Sequence, residues 1–290
     1  MNDIPTEFNM YHINDVAWCP ACGNHMLHKA VKLAMHELNI EPENLVTVSG
    51  IGQAAKTLQD LNADMFNALH DRSQPAAPVL KPSGRKLLVI VESGDGDLLG
   101  EEGHHFLDAI RRNADVTMIF HNNMVCDFTN VQAAPASARS TKKPVQGNSV
   151  KLESFNPLAA ALTMNAPFIA RAFAGDVKQT TWMIMEAIAF RGFSVIDVLQ
   201  PCVVFNKLSA YQRFKKNIHY LPKSHGTSDR KAVFRLATGH DKLPLGVFFR
   251  HEGRELYEET NFDSSGKALP QAISFHKLSG KCLAGGIVSP

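Results

Sequence analysis

The sequence predicts an α/β protein built on a doubly wound, mainly parallel sheet, followed by a carboxy-terminal extension. Short runs rich in Val, Ile and Phe alternate with longer stretches whose apolar residues recur at three- and four-residue spacing, the rhythm of strands joined by crossover helices. The strand-like runs suit burial on both faces, as parallel strands between two helical layers require. A Gly-Asp-Gly-Asp turn then joins one such run to the helical stretch after it, at the place where open sheets of this class hold their ligands. With 290 residues, 44% of them hydrophobic, the chain can bury a large core.

In chain order, residues 1–10 mix Asp3 and Glu7 with polar side chains and lack the apolar stretch of a signal peptide. Cys19-Pro20-Ala21-Cys22 comes next, a spacing used for metal or redox chemistry more than for disulfide scaffolds in a chain of this size. Helices are expected over 26–38, 99–112, 157–164 and 178–190, and strands over 45–49, 87–92, 116–121, 168–173 and 193–199. Five strands are enough for a doubly wound core. Residues 132–149 (QAAPASARSTKKPVQGNS) are polar and nearly free of large apolar groups, so they read as a loop, either a surface excursion or a cover over a site. From about Asn206 the pattern weakens into basic clusters, a turn-like Ser264-Ser265-Gly266-Lys267 and a final Gly285-Gly286. We therefore divide the chain into an α/β domain over 1–205, which includes the CxxC segment, and an extension over 206–290 packed on it.

Charge narrows the partners. Thirty basic against 28 acidic residues leave a net charge of +2, which argues against nucleic acid, and no stretch approaches the ~20 apolar residues of a membrane span. A cytoplasmic location is expected. The five cysteines are an odd number, which again points away from a disulfide framework.

The most informative segment is Leu87 to Leu99 (LLVIVESGDGDLL), where a strand runs through Gly94-Asp95-Gly96-Asp97 into a helix. Glycines there let backbone approach a ligand, and the helix start offers amides to an anion. Asp95 adds a hard carboxylate oxygen, suited to Mg²⁺ shared with a phosphate. The next strand ends in Asn122-Asn123 at the same sheet edge. This pairing resembles the thiamine-diphosphate fingerprint, a Gly-Asp-Gly followed by Asn-Asn about thirty residues on. The resemblance implies Asp95, the Asn123 side chain and the Val125 carbonyl as Mg²⁺ ligands. It places Gly52, His70, Gly94, Gly96 and Asp97 against the cofactor.

Further segments narrow the resemblance to the β subunits of 2-oxoacid:ferredoxin oxidoreductases. They are Trp18-Cys19-Pro20-Ala21-Cys22-Gly23-Asn24, Val48-Ser49-Gly50-Ile51-Gly52, Leu69-His70-Asp71-Arg72, His105-Phe106 with Arg111-Arg112-Asn113, Gly175-Asp176-Val177-Lys178-Gln179, Asp197-Val198-Leu199-Gln200-Pro201-Cys202 and Pro244-Leu245-Gly246-Val247-Phe248-Phe249. In that family a 2-oxoacid is oxidatively decarboxylated on thiamine diphosphate, coenzyme A takes the acyl group, and electrons leave through iron-sulfur clusters to ferredoxin or a similar carrier. The resemblance implies a partner α subunit that supplies the pyrimidine-binding half and its glutamate. It also implies His70 in the cofactor pocket and Lys56 near the substrate end, facing a substrate carboxylate or the diphosphate. Cys19, Cys22 and Cys202 match ligands of a 4Fe-4S cluster.

Two departures stand out. After the metal asparagine the family often has an aromatic residue and a glycine, whereas this chain has Cys126-Asp127, and the carboxylate alters the substrate end. At the fourth cluster position stands Gln53, a harder and weaker ligand than thiolate. A thiamine-dependent decarboxylase subunit without redox chemistry, and a non-catalytic metal-binding module on the same scaffold, therefore stay open as alternatives.

Overall fold

The computed structural model describes residues 18–69, 72–81, 87–101, 103–123, 154–204, 211–222, 224–239 and 242–260. Its strands are β1 (Leu45–Ser49), β2 (Asp64–Asn67), β3 (Leu88–Gly94), β4 (Thr117–Asn122), β5 (Phe168–Phe173), β6 (Ser194–Leu199), β7 (Ile218–Tyr220) and β8 (Leu243–Arg250). They form one sheet in the order β2-β1-β3-β4-β6-β5-β8-β7. Neighbours are parallel from β2 across to β5, and β8 joins β5 antiparallel.

Successive side chains on a strand point to opposite faces, so a strand apolar at every position needs a helical layer on each side. β3 shows the consequence. Val89 and Val91 enter one apolar cluster and Ile90 the other, and none of the three is exposed. On the first face the strands pack against α2 (Ser73–Leu80), α3 (Gly103–Arg112), α4 (Pro157–Thr163) and α7 (Arg230–Thr238), through Ala77, Phe106, Ile110, Leu158, Leu162 and Val233. On the second they pack against α1 (Gly23–Glu37) and α5 (Val177–Ala189), through Leu27, Val31, Met35, Met183, Ile184 and Ala187. The sheet is thus doubly wound. Two shorter helices, α6 (Tyr211–Asn217) and α8 (Tyr257–Thr260), complete the described elements.

The five expected strands are β1, β3, β4, β5 and β6, the sheet's central run, each within two residues of its expected bounds. The edges carry weaker signals. β2 is exposed at all four positions, and β8 contains Pro244 and Gly246, both poor strand formers. α2 contains Pro75, Pro78 and only eight residues, too little for a readable helical period. Beyond residue 206 the chain supplies α6, β7, α7, β8 and α8, and β8 takes a place in the sheet itself. No described helix is long and apolar enough to cross a membrane.

One buried polar pair crosses the middle of the sheet. Arg171 of β5 stands opposite Asp197 of β6; its Nε donates to Asp197 Oδ2 at 2.8 Å, and Asn122 Nδ2 at the end of β4 donates to Oδ1 at 2.8 Å. The Arg171 guanidinium also lies over the Phe248 ring of β8, 5.7 Å from its centroid. The carboxylate therefore ties β4, β5 and β6 together, and Arg171 extends the contact to β8. Asp197→Ala leaves Arg171 charged and buried, and should lower unfolding free energy by about 3–5 kcal/mol in urea titrations. Replacing both residues, as Arg171→Met with Asp197→Leu, should recover most of that loss; equal stability of wild type and Asp197→Ala would refute the role.

Candidate active site

After β1 the chain turns toward β2, and after β3 it turns the opposite way toward β4, although β1 and β3 are neighbours. Their carboxyl ends therefore open a crevice, the topological switch point at which open α/β sheets bind ligands. Two glycine-bearing turns and one Asn-Asn pair lie at these strand ends.

The turns fit closely. A Cβ on Gly50 would lie 1.9 Å from Asp97 Oδ2 and 2.6 Å from Ser93 Oγ, so no larger residue fits without moving the turn. Asp97 Oδ2 accepts hydrogen bonds from Ser93 Oγ at 2.9 Å and from the Ile51 amide at 3.2 Å, which bolts the β1 turn to the β3 turn. Gly52 has φ +98° and open space beside its Cα, and Gly94 likewise has nothing within 4 Å of a built Cβ. Asp97 thus braces the turns, while Gly52 and Gly94 face open volume. From Asp97 to Glu101 the chain winds as a π-turn before α3 begins, a local widening common at functional sites.

Asp95 follows directly on β3 and is 1% exposed. Gly94 pairs with His121 of β4, so Asp95 and Asn122-Asn123 leave adjacent parallel strands side by side. Asn122 is committed to Asp197, as described above, and its carbonyl accepts from the Gln200 amide at 2.9 Å. Asn123, the residue after β4, is half-buried. A buried carboxylate on a glycine turn with open space at Gly94, an amide side chain at the next strand end and a helical start nearby suit a divalent cation held together with a diphosphate. Lys56 is half-buried in the 3₁₀ helix Ala54–Asp60, on the β1 side of the same crevice. His70 and Val125, together with Cys126, Asp127 and the loop 132–149, lie outside the described residues.

A second group of residues gathers at the amino end of α1. The Cys22 amide donates to Cys19 O at 3.0 Å, closing the CxxC turn, and the Gly23 amide donates to Pro201 O at 3.1 Å, bringing Cys22 beside Cys202. Trp18 Nε1 donates to Gln53 O at 3.0 Å, which holds the Gln53 backbone against the residue before Cys19. These contacts bring the segments that carry the four positions to one corner, and none of Cys19, Cys22 and Cys202 is in a disulfide. Among the described residues no three His, Cys, Asp or Glu side chains are grouped so as to hold a metal ion. Burial and the charge of Cys22 raise the Tyr211 phenol, so α6 also reaches this corner.

A buried triad that the motif reading missed fixes the two sides of this corner. His28 and Lys32 of α1 reach Asp60 Oδ2 at 2.9 and 2.6 Å, at the end of the 3₁₀ helix that starts after Gln53. Trp18 packs edge-on against His25 and His28. The signal available was weak: His28 and Lys32 share a helix face, but nothing in their spacing names an aspartate 28 residues further on. Burial alone would raise the Asp60 carboxyl, but hydrogen bonds and charge from His28 and Lys32 override it and hold the group well below the usual carboxylate range. Because the folded value is depressed below the ~3.9 of an unfolded aspartate, the stabilisation is complete above about pH 5 and fades as pH falls toward the folded value. Asp60→Asn should cost on the order of 3 kcal/mol at pH 7. The gap from wild type should shrink in unfolding curves recorded below about pH 4; a gap independent of pH would refute the linkage.

Comparison with known proteins agrees with this geometry. Residues 34–198 match the C-terminal TPP-binding domain of thiamine pyrophosphate enzymes, and residues 202–263 match the C-terminal part of the pyruvate ferredoxin oxidoreductase β subunit. The chain is 33% identical over 256 residues to the β subunit of 2-oxoacid:ferredoxin oxidoreductase 2 of Aeropyrum pernix, covering 84% of this chain and 83% of that one. It is 34% identical over 285 residues to the β subunit of the 2-oxoacid:ferredoxin oxidoreductase of Saccharolobus solfataricus, covering 91% and 92%. Its fold superposes on a 2-oxoglutarate:ferredoxin oxidoreductase from Magnetococcus marinus, solved with 2-oxoglutarate, coenzyme A and succinyl-CoA bound, with a TM-score of 0.85 at 27% identity over 88% of this chain and 89% of that one. With a thiamine-pyrophosphate domain over most of its sheet and relatives of this kind along nearly its whole length, the chain belongs to the 2-oxoacid:ferredoxin oxidoreductase family, among its β subunits.

Proposed function

We propose that this chain is the thiamine-diphosphate-binding catalytic subunit of an enzyme that, with an α subunit, oxidatively decarboxylates a 2-oxoacid to acyl-CoA and CO₂, or runs the reverse, and exchanges electrons with ferredoxin or a similar carrier. The observation that best supports the reading is the buried Asp95 carboxylate beside Asn123 at the switch point, in a chain of this family. Bound there, thiamine diphosphate would supply the carbanion chemistry that a 2-oxoacid decarboxylation needs.

The chain's own residues bind and orient. Asp95, the Asn123 side chain and the Val125 carbonyl would hold Mg²⁺ against the diphosphate. Gly52, Gly94 and Gly96 let backbone come close to it, and Asp97 keeps the two turns in register. Lys56 offers a cation to the substrate carboxylate or the diphosphate, and His70 lines the reacting end. Residues 1–205 form the cofactor domain, and 206–290 pack on it and reach the cysteine corner through α6. Cys19, Cys22 and Cys202 would supply three thiolates to a 4Fe-4S cluster, and Gln53 would leave the fourth position with a weaker ligand. Gln53 also favours the second reading, a thiamine-dependent decarboxylase subunit without redox chemistry, and a cluster assay separates the two.

In the complex with its α subunit, Asp95→Ala or Asn123→Ala should abolish Mg²⁺-dependent binding of thiamine diphosphate in calorimetric titrations; wild-type affinity in both would remove the site assignment. The isolated chain should turn over no 2-oxoacid until the α subunit is added, and full activity from the pure single chain would overturn the subunit model. Anaerobically purified complex should contain iron and sulfide bound at the three cysteines, and Gln53→Cys should make the cluster resist loss of iron. Stoichiometric zinc without sulfide would refute the cluster and favour the non-redox reading.

A further inference from the structure

Between the cysteine corner and the crevice lie four buried polar side chains that neither site uses. Glu92 of β3 comes three residues before Asp95, and His121 of β4 comes two before Asn123. Asn24 of α1 comes two after Cys22, and Gln200 comes two before Cys202. Glu92 is fully buried, and His121, Asn24 and Gln200 are each 1% exposed. They form one chain: Glu92 Oε2 to His121 Nε2 at 2.9 Å, His121 Nδ1 to Asn24 Oδ1 at 3.0 Å, and Gln200 Nε2 to the same Oδ1 at 2.6 Å.

The chemistry of the groups orders the hydrogens. An amide oxygen only accepts, so Asn24 Oδ1 takes one bond from Gln200 and one from His121 Nδ1–H. Two bare acceptors do not sit 2.9 Å apart, so one hydrogen lies between His121 Nε2 and Glu92 Oε2. Glu92 Oε1 and Gln200 Oε1 have no partner among the described residues. Apolar side chains would fill these positions without that desolvation cost, so the chain is better explained by the geometry it imposes than by the stability it adds. Its members come from β3, β4, α1 and the residue that follows β6, and each lies within three residues of a residue assigned to one of the two sites.

We propose that Glu92, His121, Asn24 and Gln200 are positioning residues, a buried strut that fixes the cysteine-bearing turn and Cys202 relative to the diphosphate-bearing strand ends, so that filling the crevice tightens the cysteine corner. The proposal rests on the assignment of the crevice to thiamine diphosphate and Mg²⁺, and it holds whether or not the cysteines carry a cluster.

Amide hydrogen exchange on the assembled complex tests it, with and without thiamine diphosphate and Mg²⁺, read on peptides spanning residues 18–27. Cofactor should slow exchange there by about fivefold or more in wild type, the low end of a coupling between sites. Glu92→Gln should keep the response, because its amide N–H can donate to His121 Nε2. Glu92→Val with His121→Leu removes the strut without stranding either partner; it should still bind cofactor in calorimetry but lose the response at 18–27. Should that variant fail to assemble, Gln200→Leu cuts the far arm alone and carries the same expectation. A response that survives in the strut-less variant, or wild type that binds cofactor with no change at 18–27, would overturn the strut. Wild type that binds no cofactor by calorimetry would overturn the site assignment itself, an outcome distinct from the other two.

Discussion

Parallel pairing is the constraint on which the rest of this molecule depends. From β2 to β5 all strands point the same way, so their carboxyl ends, and every turn that follows them, lie along one edge of the sheet. Gly50-Ile51-Gly52, Gly94-Asp95, Asn122-Asn123 and Gln200-Cys202 are far apart in the chain and become neighbours for that reason alone. The same pairing requires helices on both faces, which is why the central strands are apolar on both sides and why two separate apolar clusters exist.

Within that frame, three carboxylates connect elements. Asp197 joins β4, β5 and β6 through Asn122 and Arg171; Asp60 joins α1 to the 3₁₀ helix through His28 and Lys32; Asp97 joins the turns after β1 and β3. Each is a carboxylate whose desolvation is offset by at least two donors, and each removes a freedom that apolar packing leaves open, namely how one element is rotated or slid against the next. The crevice is held from below by these ties, so Asp95 and Asn123 sit at positions set by the sheet rather than by flexible loop.

The cysteine corner and the crevice share those supports. α1 starts at the CxxC turn, packs beside α5 and carries both His28 and Asn24, so the helix that presents Cys22 is also bonded to Asp60 and to the strand ends of β4 and β6. An arrangement of this kind gives the two places common supports in α1 and the strand ends.

The sequence by itself determined the fold class, the five central strands, the helices α1, α3, α4 and α5, and the glycine turn that follows β3. Those features depend on local signals: unbroken apolar runs, three- and four-residue spacing, and glycines next to a carboxylate. β2, β7 and β8 were not legible, because an exposed edge strand and a strand with Pro244 and Gly246 have no periodicity to read, and only pairing with a neighbour makes them strands. Nor could the sequence tell that Asp97 braces the turns while Asp95 lies buried beside them, or which of Asn122 and Asn123 belongs to Asp197, since the residues in each pair are of one type and nearly adjacent. Glu92 and His121 read as interruptions of apolar strands. Tertiary structure decided what they are, because a buried hydrogen-bond partner is chosen by strand register and helix placement, and neither is encoded within reach of the residue itself.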